Sequence, residues 1–355
     1  MTETQQLLEQ FVSVDSSNIE NTNHLIHMCN AWLQQNNIET TILSNQGYDI
    51  LIAKIGKGDK KIILNGHLDV VPAQSKLFTP RIQDDKMYGR GTADMKGGVV
   101  GLLLTMKRLH HLDLNTQVEL HLVPDEETGG QFGARYLCEQ NIDAQLVICS
   151  EPTDLGIGVQ AKGILQFDLV IKGSTAHSSR PWEGDNAITK ALDIHQRLLN
   201  LPFAKASSEL YACPSINLAK ISGGDVYNKV PDTCVMSYDI RYLPSQSKAD
   251  IIQQIEALTH TQLDIHLTGP PVTNDLNHPD FKLLQQYILK HSPESTAHMF
   301  GQHGFADTRY YSAKGIPAIE FGPSGGHWHG EDEYVILSSI DTYTSILVDF
   351  IQHYQ

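Results

Sequence analysis

The sequence has few basic residues, few cysteines and no long apolar run. It contains 26 Lys and Arg residues against 41 Asp and Glu residues, which gives a formal net charge of -15. A surface this acidic argues against nucleic acid or an anionic membrane as a partner, because both bind clusters of Lys and Arg. No apolar stretch approaches the roughly 20 residues that a membrane-spanning helix needs. We therefore expect neither a nucleic-acid-binding protein nor a membrane protein.

Paired cysteines and a targeting segment are also lacking. The five cysteines are widely spaced and form no CxxC pair, so we interpret them as reduced, mostly buried thiols. The first residues, MTETQQLLEQFVSV, follow an amphipathic helical pattern without a basic segment and an apolar segment after it. Such a start is typical of a mature cytoplasmic protein, and we expect a cytoplasmic location.

The chain has an ordinary globular composition and is long enough for two domains. Its 355 residues are 41% hydrophobic and 19% charged. In the first part of the chain, apolar strand patterns such as KIILNGHLDVV and AQLVICSEP alternate with helical patterns such as GGVVGLLLTMKRLHHL. This alternation predicts the α/β class, with a mostly parallel sheet flanked by helices.

The pattern changes between residues 164 and 270. GILQFDLVIKGS alternates in period two, and the segments that follow give the order β-α-β-β-α-β, which is that of the ferredoxin-like split unit. From residue 271 the α/β pattern resumes, and the chain closes with a helical pattern. We therefore predict a discontinuous α/β domain of residues 1–163 and 271–355, interrupted by an inserted ferredoxin-like α+β domain of residues 164–270.

Polar side chains recur where the predicted strands of the α/β domain end, which is where open α/β sheets bind ligands. Acids and a histidine occupy these strand ends and turns: His67 and Asp69 in NGHLDVV, Asp94 in YGRGTADMKGG, Glu126 and Glu127 in VPDEETGG, and Glu151 in CSEPT. Each has an ordinary explanation by itself, such as a strand-end hydrogen bond, a helix cap or a solvated turn. Their ordered recurrence along the chain indicates a shared site.

Two histidines near the C-terminus, His327 and His329 in GPSGGHWHGEDEY, extend this set. The combined donors are rich in oxygen and include imidazoles, which suits two Zn²⁺-like ions that share a bridging carboxylate, with a water as the nucleophile. In an extended segment the two histidines would point to the same side, so the local sequence does not choose between them.

Eight motifs occur in the order found in a known family: GHLDVVPA, YGRGTADMKGG, DEETGG, SEPT, GSTAHSSRPWEGDNAI, GGDVYNKVPD, DIR and GPSGGHWHGEDEYV. The sequence resembles the zinc-dependent M20 metallopeptidases and deacylases, nearly from end to end. That group includes acetylornithine deacetylase, succinyl-diaminopimelate desuccinylase, aminoacylase-1 and glutamate carboxypeptidases. The resemblance implies that the α/β domain holds the catalytic metals and that the inserted domain is a dimerisation or lid domain.

The resemblance also implies a ligand set for two Zn²⁺ ions, with Co²⁺ or Mn²⁺ as possible substitutes. His67 and Glu151 would hold one ion, Glu127 and His329 would hold the other, and Asp94 would bridge the two. The family spacing of a histidine, two residues, an acid or amide and then glutamate fits HGEDE, which is why the resemblance selects the second histidine of HWH.

Further roles follow from the same resemblance. Asp69 would support His67, and Glu126 would be the general base that takes a proton from the attacking water and returns it to the leaving amine. The peptide bond between Asp94 and Met95 is expected to be cis, as it is in the family.

The inserted domain carries candidates of its own. His177 in STAHSS matches a histidine that, in related enzymes, reaches into the partner subunit's site, which implies a homodimer. Asn228 in VYNKVPD matches a substrate-contacting residue, and Arg241 in DIRY is expected to bind a substrate carboxylate in a bidentate way. A family loop near the substrate resembles GFADTRYY, with Gly304, Asp307 and Arg309.

The reaction implied is removal of an N-acyl group, acetyl or succinyl, from an amino acid, so the expected partner is a small N-acyl amino acid or a short peptide. A dipeptidase or carboxypeptidase with the same machinery is the first alternative, because it too would use Arg241 for a carboxylate. An inactive metal- or peptide-binding dimer is the second, although Glu126 and all five ligands are present. Two departures from the family leave the substrate open: the short loop QSKLFTP lacks a tryptophan, and GQHGFADTRYY lacks a Ser/Thr-rich form.

Overall fold

The structure is a computed structural model that describes residues 1–354, and its chain divides into two compact units. Unit 1 comprises Met1–Val159, Asn274–Phe300 and Ala306–Gln355. Unit 2 comprises Gln160–Thr273 and Gly301–Phe305. In the part of the chain described, no helix combines the length and the apolar character needed to cross a membrane.

The helices follow one another in chain order as α1 (Glu3–Val12), α2 (Ile19–Gln35), α3 (Gly97–His110), α4 (Ala134–Glu139), α5 (Ala187–Leu198), α6 (Lys248–Thr259), α7 (Pro279–His291), α8 (Thr308–Ser312) and α9 (Leu337–Gln352). Several begin at a side chain that caps free backbone N–H groups. Thr2, Asn18, Asn186 and Ser247 each accept a hydrogen bond from the first turn of the helix that follows. These polar caps fix where amphipathic segments become helical.

The strands are β1 (Glu39–Asn45), β2 (Tyr48–Ile55), β3 (Lys60–His67), β4 (Arg81–Gln83), β5 (Lys86–Tyr88), β6 (Thr116–Val123), β7 (Leu146–Cys149), β8 (Ile157–Ala161), β9 (Gly163–Lys172), β10 (Ser215–Gly223), β11 (Thr233–Tyr242), β12 (Asp264–Gly269), β13 (Met299–Gln302), β14 (Ala318–Glu320), β15 (Gly325–Gly326) and β16 (Tyr334–Ile336). They form one sheet of eight strands and two of four.

The eight-stranded sheet has the order β1-β2-β6-β3-β7-β14-β8-β13. Its central pairings, β6 with β3, β3 with β7 and β7 with β14, are parallel. On one face Ile63 packs in a cluster with residues of α4 and α8. On the other face α3 lies so close that a Cβ on Gly66 would be 2.9 Å from Val99. Helices on both faces of a sheet with a parallel centre confirm the predicted α/β class.

The sheet of unit 2 has the order β10-β11-β9-β12 and is antiparallel throughout. Burial alternates along β11, so that Met236, Tyr238 and Ile240 lie in one core with apolar residues of α5 and α6. The elements follow the order β-α-β-β-α-β. Helices therefore cover a single face of this sheet, as the period-two pattern predicted.

The third sheet has the order β15-β16-β5-β4 and brings together segments far apart in the sequence. Val335 of β16 pairs with Met87 of β5, and Gly325 of β15 pairs with Val335. The motif GPSGGHWHGEDEY is consequently anchored beside the glycine-rich turn YGRGTADMKGG. These strands have two or three residues each, which is too short for a period to identify in the sequence.

A charged cluster joins the middle strands away from the carboxyl edge of the sheet. The Glu119 carboxylate of β6 lies 3.2 Å from Lys54 of β2, 3.3 Å from Lys61 of β3 and 3.2 Å from His121. Burial raises the pKa of Glu119, but the hydrogen bond to His121 and the neighbouring lysines outweigh it and lower the pKa to about 2. The folded state therefore favours the charged form of this carboxylate.

We expect Glu119→Gln to destabilise the protein in a pH-dependent way. The pKa in the folded state lies below the ordinary value of 4.5, so Glu119 stabilises the fold above that pH and loses its effect as the pH falls towards 2. The lost stability at pH 7 has an upper bound of about 3 kcal/mol. Urea unfolding across pH 3–7 measures it, and a constant difference between variant and wild type over this range would contradict the assignment.

Candidate active site

Three parallel strands of unit 1 carry predicted site residues to one edge. His67 is the last residue of β3, Glu126 and Glu127 form a 3₁₀ turn after β6, and Glu151 follows β7. The register makes these ends level, because His67 pairs with Val123 and Asn65 pairs with Cys149. The carboxyl ends of neighbouring parallel strands thus deliver an imidazole and carboxylates to the same place.

Five side chains converge there, with Asp94 at the centre. One carboxylate oxygen of Asp94 lies 3.2 Å from Nε2 of His67, and the other lies 3.4 Å from Nε2 of His329. Glu127 is 3.1 Å from His329, and Glu151 is 3.9 Å from His67. Ligand atoms of His67, Asp94 and Glu127 lie within 4.8 Å of one another. Two imidazoles among carboxylates form a donor set that divalent zinc-like ions bind.

Burial and the neighbouring charges shift the pKa values of the carboxylates and imidazoles in this cluster. Desolvation raises the pKa of Glu151 well above its ordinary value, and the charge of Asp94 raises it further. Asp94 is half-buried, and although desolvation raises its pKa, its hydrogen bonds with His329 and His67 outweigh this and lower it. The hydrogen bond to Asp94 raises the pKa of His329 to about 9. These hydrogen bonds therefore favour an ionised Asp94 beside a protonated His329.

Glu126 lies at the same edge, in surroundings that shift its pKa. Desolvation raises its pKa well above the ordinary value, and the charges of Asp307, Asp69 and Asp94 add to the shift, whereas His67 opposes it. A carboxyl group whose pKa is moved towards neutrality can accept a proton and release it again at working pH.

Asp69 contacts both the turn that contains Glu126 and Glu127 and the side chain of His67. Its two carboxylate oxygens accept hydrogen bonds from the backbone N–H groups of Glu126, at 3.1 Å, and Glu127, at 2.9 Å. Nδ1 of His67 lies 3.0 Å from the backbone carbonyl of Asp69 and 3.4 Å from its carboxylate. Donation from Nδ1 to the carbonyl leaves Nε2 free to face Asp94. Asp69 therefore supports His67 mainly through its main chain.

The turn that contains Glu126 and Glu127 is also held by Arg309, Tyr310 and Asp125. The sequence had connected Arg309 only with a substrate loop and had given the other two no role. Arg309 is buried and donates to the backbone carbonyl of Gly129 at 2.7 Å, which Tyr310 also contacts. The carboxylate of Asp125 accepts from the N–H groups that follow the turn, at 2.7 and 2.9 Å. Asp307 is buried as well, and desolvation raises its pKa to about 7. The motifs DEETGG and GFADTRYY contain these residues, but no residue pattern reveals a contact to a backbone carbonyl.

The structure distinguishes the two histidines of HWH. His329 faces Asp94 and Glu127, whereas Nδ1 of His327 lies 2.6 Å from Asp332 on the exposed surface. Both histidines have a positive φ, 58° and 61°. The segment is therefore a turn, and the extended geometry in which both side chains share one side does not apply. The Asp94–Met95 peptide bond is cis, as the resemblance implied.

The remaining candidates lie in unit 2, at two different ends of its sheet. His177 is exposed and contacts the Ser179 hydroxyl at 2.8 Å, and the backbone carbonyl of Asn228 accepts from the residue after His177. Arg241 lies near the other end of β11 and donates to both carboxylate oxygens of Asp239. Gly304 is exposed, and no atom lies within 4 Å of the position of a Cβ there.

Comparison with known proteins identifies the family. The model of peptidase family M20/M25/M40 matches residues 63–353. The chain belongs to this family. An acetylornithine deacetylase of Aliivibrio fischeri is 29% identical, with 94% of this chain and 92% of that relative covered. A probable succinyl-diaminopimelate desuccinylase of Staphylococcus aureus is 26% identical, with coverages of 98% and 97%.

A solved structure with the same fold is an M20 family metallo-carboxypeptidase from Sulfolobus solfataricus. Its TM-score is 0.81 at 20% sequence identity, and the superposition covers 100% of this chain and 99% of that one. This likeness confirms the fold. Membership of the family makes this chain a hydrolase of amide or peptide bonds and a metallopeptidase relative.

We expect Asp69→Asn to loosen the turn that carries Glu126 and Glu127. Asparagine has one acceptor oxygen, so its amide NH₂ would face one of the two backbone N–H donors. The variant should lose about 1–3 kcal/mol of unfolding free energy and also lose hydrolytic activity. Denaturant unfolding measures the first effect. Asp143→Asn, which removes an exposed carboxylate paired with Lys61, is the control, and equal stability of the two variants would contradict the role of Asp69.

Proposed function

We propose that this chain is a dinuclear zinc-dependent amide hydrolase that removes an N-acyl group, acetyl or succinyl, from an amino acid. The observation that carries the proposal is the position of Asp94, whose two oxygens face different histidines. In this proposal His67 and Glu151 hold one ion, Glu127 and His329 hold the other, and Asp94 bridges them. Zn²⁺ suits the nitrogen and oxygen donors, and Co²⁺ or Mn²⁺ can replace it. When bound, the ions polarise the scissile carbonyl and acidify the attacking water.

Glu126 is the general base of the proposed reaction. It takes a proton from the attacking water and returns that proton to the leaving nitrogen as the amide bond breaks. Desolvation, which raises its pKa, prepares it for both steps. The hydrogen bond from its own N–H to Asp69 and the bond from the N–H of Gly129 to its carbonyl hold its backbone, so the carboxyl group is held at the edge of the cluster.

Arg241 is the proposed anchor for the carboxylate of the amino acid. Its Nε and one Nη already donate to Asp239 at 2.8 and 3.2 Å. The end of the guanidinium still has N–H groups on both terminal nitrogens, which is the edge that binds a carboxylate in a bidentate way. The ion pair with Asp239 would orient that edge. The cytoplasmic location and the identity of the acyl group stay predictions.

A dipeptidase or carboxypeptidase is the second candidate, because a metallo-carboxypeptidase shares the fold and because a peptide also ends in a carboxylate. The lead rests on the curated relatives, which are named as a deacetylase and a desuccinylase. An inactive metal- or peptide-binding dimer would hydrolyse neither N-acyl amino acids nor peptides. The absence of all hydrolysis would therefore contradict both enzyme candidates.

Hydrolysis of N-acetyl amino acids, N-succinyl amino acids and dipeptides by the zinc-loaded chain tests the proposal. We expect an N-acyl amino acid to have the highest kcat/KM, and Glu126→Gln to lower kcat by about 10²–10⁴-fold with metal content unchanged. The control is Glu139→Gln, which alters an exposed carboxylate of α4. A preference for dipeptides over every N-acyl substrate would favour the second candidate, and full activity of Glu126→Gln would refute the assignment of the base.

We further propose that the enzyme is a homodimer in which His177 serves the partner's site. The register of β11 against β9 places Thr233 opposite Lys172 and Arg241 opposite Ile164. The eight residue steps from Thr233 to Arg241 span about 26 Å of strand, and His177 follows β9 at the end where Lys172 lies. An N-acyl amino acid is far shorter than this separation. If both side chains contact substrate, they contact different substrate molecules, which supports an arrangement with two subunits.

Mixing two inactive variants tests this arrangement. Glu126→Gln and His177→Ala should each be nearly inactive, and subunit exchange between them should restore about a quarter of wild-type activity. Half of the randomly formed dimers are mixed, and in each of these one site has both intact residues only if His177 acts across the dimer. Gel filtration tests whether the chain forms dimers, and co-purification of an untagged variant with a tagged one confirms that subunits exchange. Mixed dimers without any recovered activity would contradict the proposal.

A further inference from the structure

A buried carboxylate that no proposed step uses lies behind the metal cluster. Glu333 precedes β16 and is 1% exposed. Its Oε1 accepts hydrogen bonds from the backbone N–H groups of Ala93, at 3.1 Å, and Asp94, at 3.2 Å. One side chain thereby holds the main chain on both sides of the Cα of Ala93 and fixes the N–H of the residue whose carboxylate faces both histidines.

The other oxygen of Glu333 connects this turn to the second histidine. Oε2 lies 2.5 Å from Nη1 of Arg90, which is 4% exposed, and Nη2 of Arg90 donates to the backbone carbonyl of His329 at 2.8 Å. The N–H of Gly89 donates to the carbonyl of Glu333 at 3.1 Å, which holds the same two segments together. A single ion pair therefore contacts the backbone of Asp94 on one side and that of His329 on the other.

We propose that the pair Arg90–Glu333 is a positioning device for the metal centre, which sets Asp94 and His329 in their relative places before a metal binds. The inference rests on the proposed function, because it takes these two residues as ligands. A buried ion pair is weak evidence for stability, since well-packed apolar residues often stabilise a fold equally well. This pair instead binds the backbone N–H of Asp94 and the backbone carbonyl of His329, which are far apart in the chain. Apolar residues in place of Arg90 and Glu333 would leave these backbone groups without partners.

The chemistry of the pair requires both charged groups. A glutamine in place of Glu333 could accept the two backbone N–H groups with its oxygen, but its NH₂ would then face the guanidinium of Arg90, so donor would meet donor. A lysine in place of Arg90 keeps the charge, but a single ammonium lacks the planar fork that reaches Glu333 and His329 together. Glu333→Gln and Arg90→Lys therefore disturb the same connection from opposite sides.

Zinc titration of the metal-stripped full chain against a chromophoric chelator tests the proposal. Both variants should bind at least one of the two ions about 10–100-fold more weakly than wild type, the range seen when residues that orient ligands are changed. Glu119→Gln is the matched control, because it changes a buried, ion-paired glutamate of the same unit that does not contact the cluster. It should lose stability and keep wild-type zinc affinities.

Wild-type zinc affinities in both variants, measured where circular dichroism shows them folded, would overturn the proposal. If Glu333→Gln fails to fold, Arg90→Lys decides, since it retains the charge pair. Hydrolysis of the substrate panel is measured separately. A wild-type chain that binds two ions but hydrolyses no substrate would refute the proposed function and leave the positioning role to be judged by the affinities, whereas a wild-type chain that binds no zinc would refute both.

Discussion

Carboxylates that lie side by side and largely shielded from water need a positive charge between them, and this requirement dominates the carboxyl edge of the central sheet. Asp94, Glu127 and Glu151 lie there with two imidazoles. Desolvation raises the pKa of Glu151 and the hydrogen bond to Asp94 raises that of His329, so a proton on either group would reduce the repulsion among the carboxylates. Divalent cations satisfy the same demand with stronger and more directional bonds. The fold thus concentrates negative charge at a cost that a metal relieves.

Much of the surrounding structure keeps these charges in place through the backbone. Asp69 and Arg309 hold the turn that carries Glu126 from its N–H side and its carbonyl side. Glu333 and Arg90 do the same for Asp94 and His329. Asp69, Glu333 and Arg90 each bind main-chain groups of residues whose own side chains face the cluster, whereas Arg309 binds the carbonyl of Gly129 in the turn. The side chains of the cluster are consequently oriented before any ligand is bound, which lowers the entropy lost on binding.

The sequence predicted the class of the fold and the edge at which the polar residues gather, because period and strand ends are local properties. The level ends of β3, β6 and β7 follow from parallel pairing, and the order that places β3 beside β7, which the structure supplies, brings His67 close to Glu151. Two features were not accessible in this way. The local sequence did not distinguish His327 from His329, because an extended segment was assumed. The structure has a turn there, with positive φ at both residues. The contacts of Arg90, Glu333 and Arg309 to backbone groups depend on the third sheet and on α8, which bring together residues about 180 to 240 positions apart.

The division of labour between the two units bears on substrate choice. The metal cluster and the proposed base belong to unit 1, whereas Arg241, His177 and Asn228 belong to unit 2. In the proposed function, a change in unit 2 would therefore alter which carboxylate or acyl group is recognised without disturbing the charge balance around Asp94. A deacetylase and a desuccinylase match this chain at nearly equal identity, so overall similarity does not distinguish an acetyl from a succinyl substrate. Similarity over the whole chain mainly reports the chemistry, and in the proposed function the residues around Arg241 and His177 would select the acyl group and the amino acid.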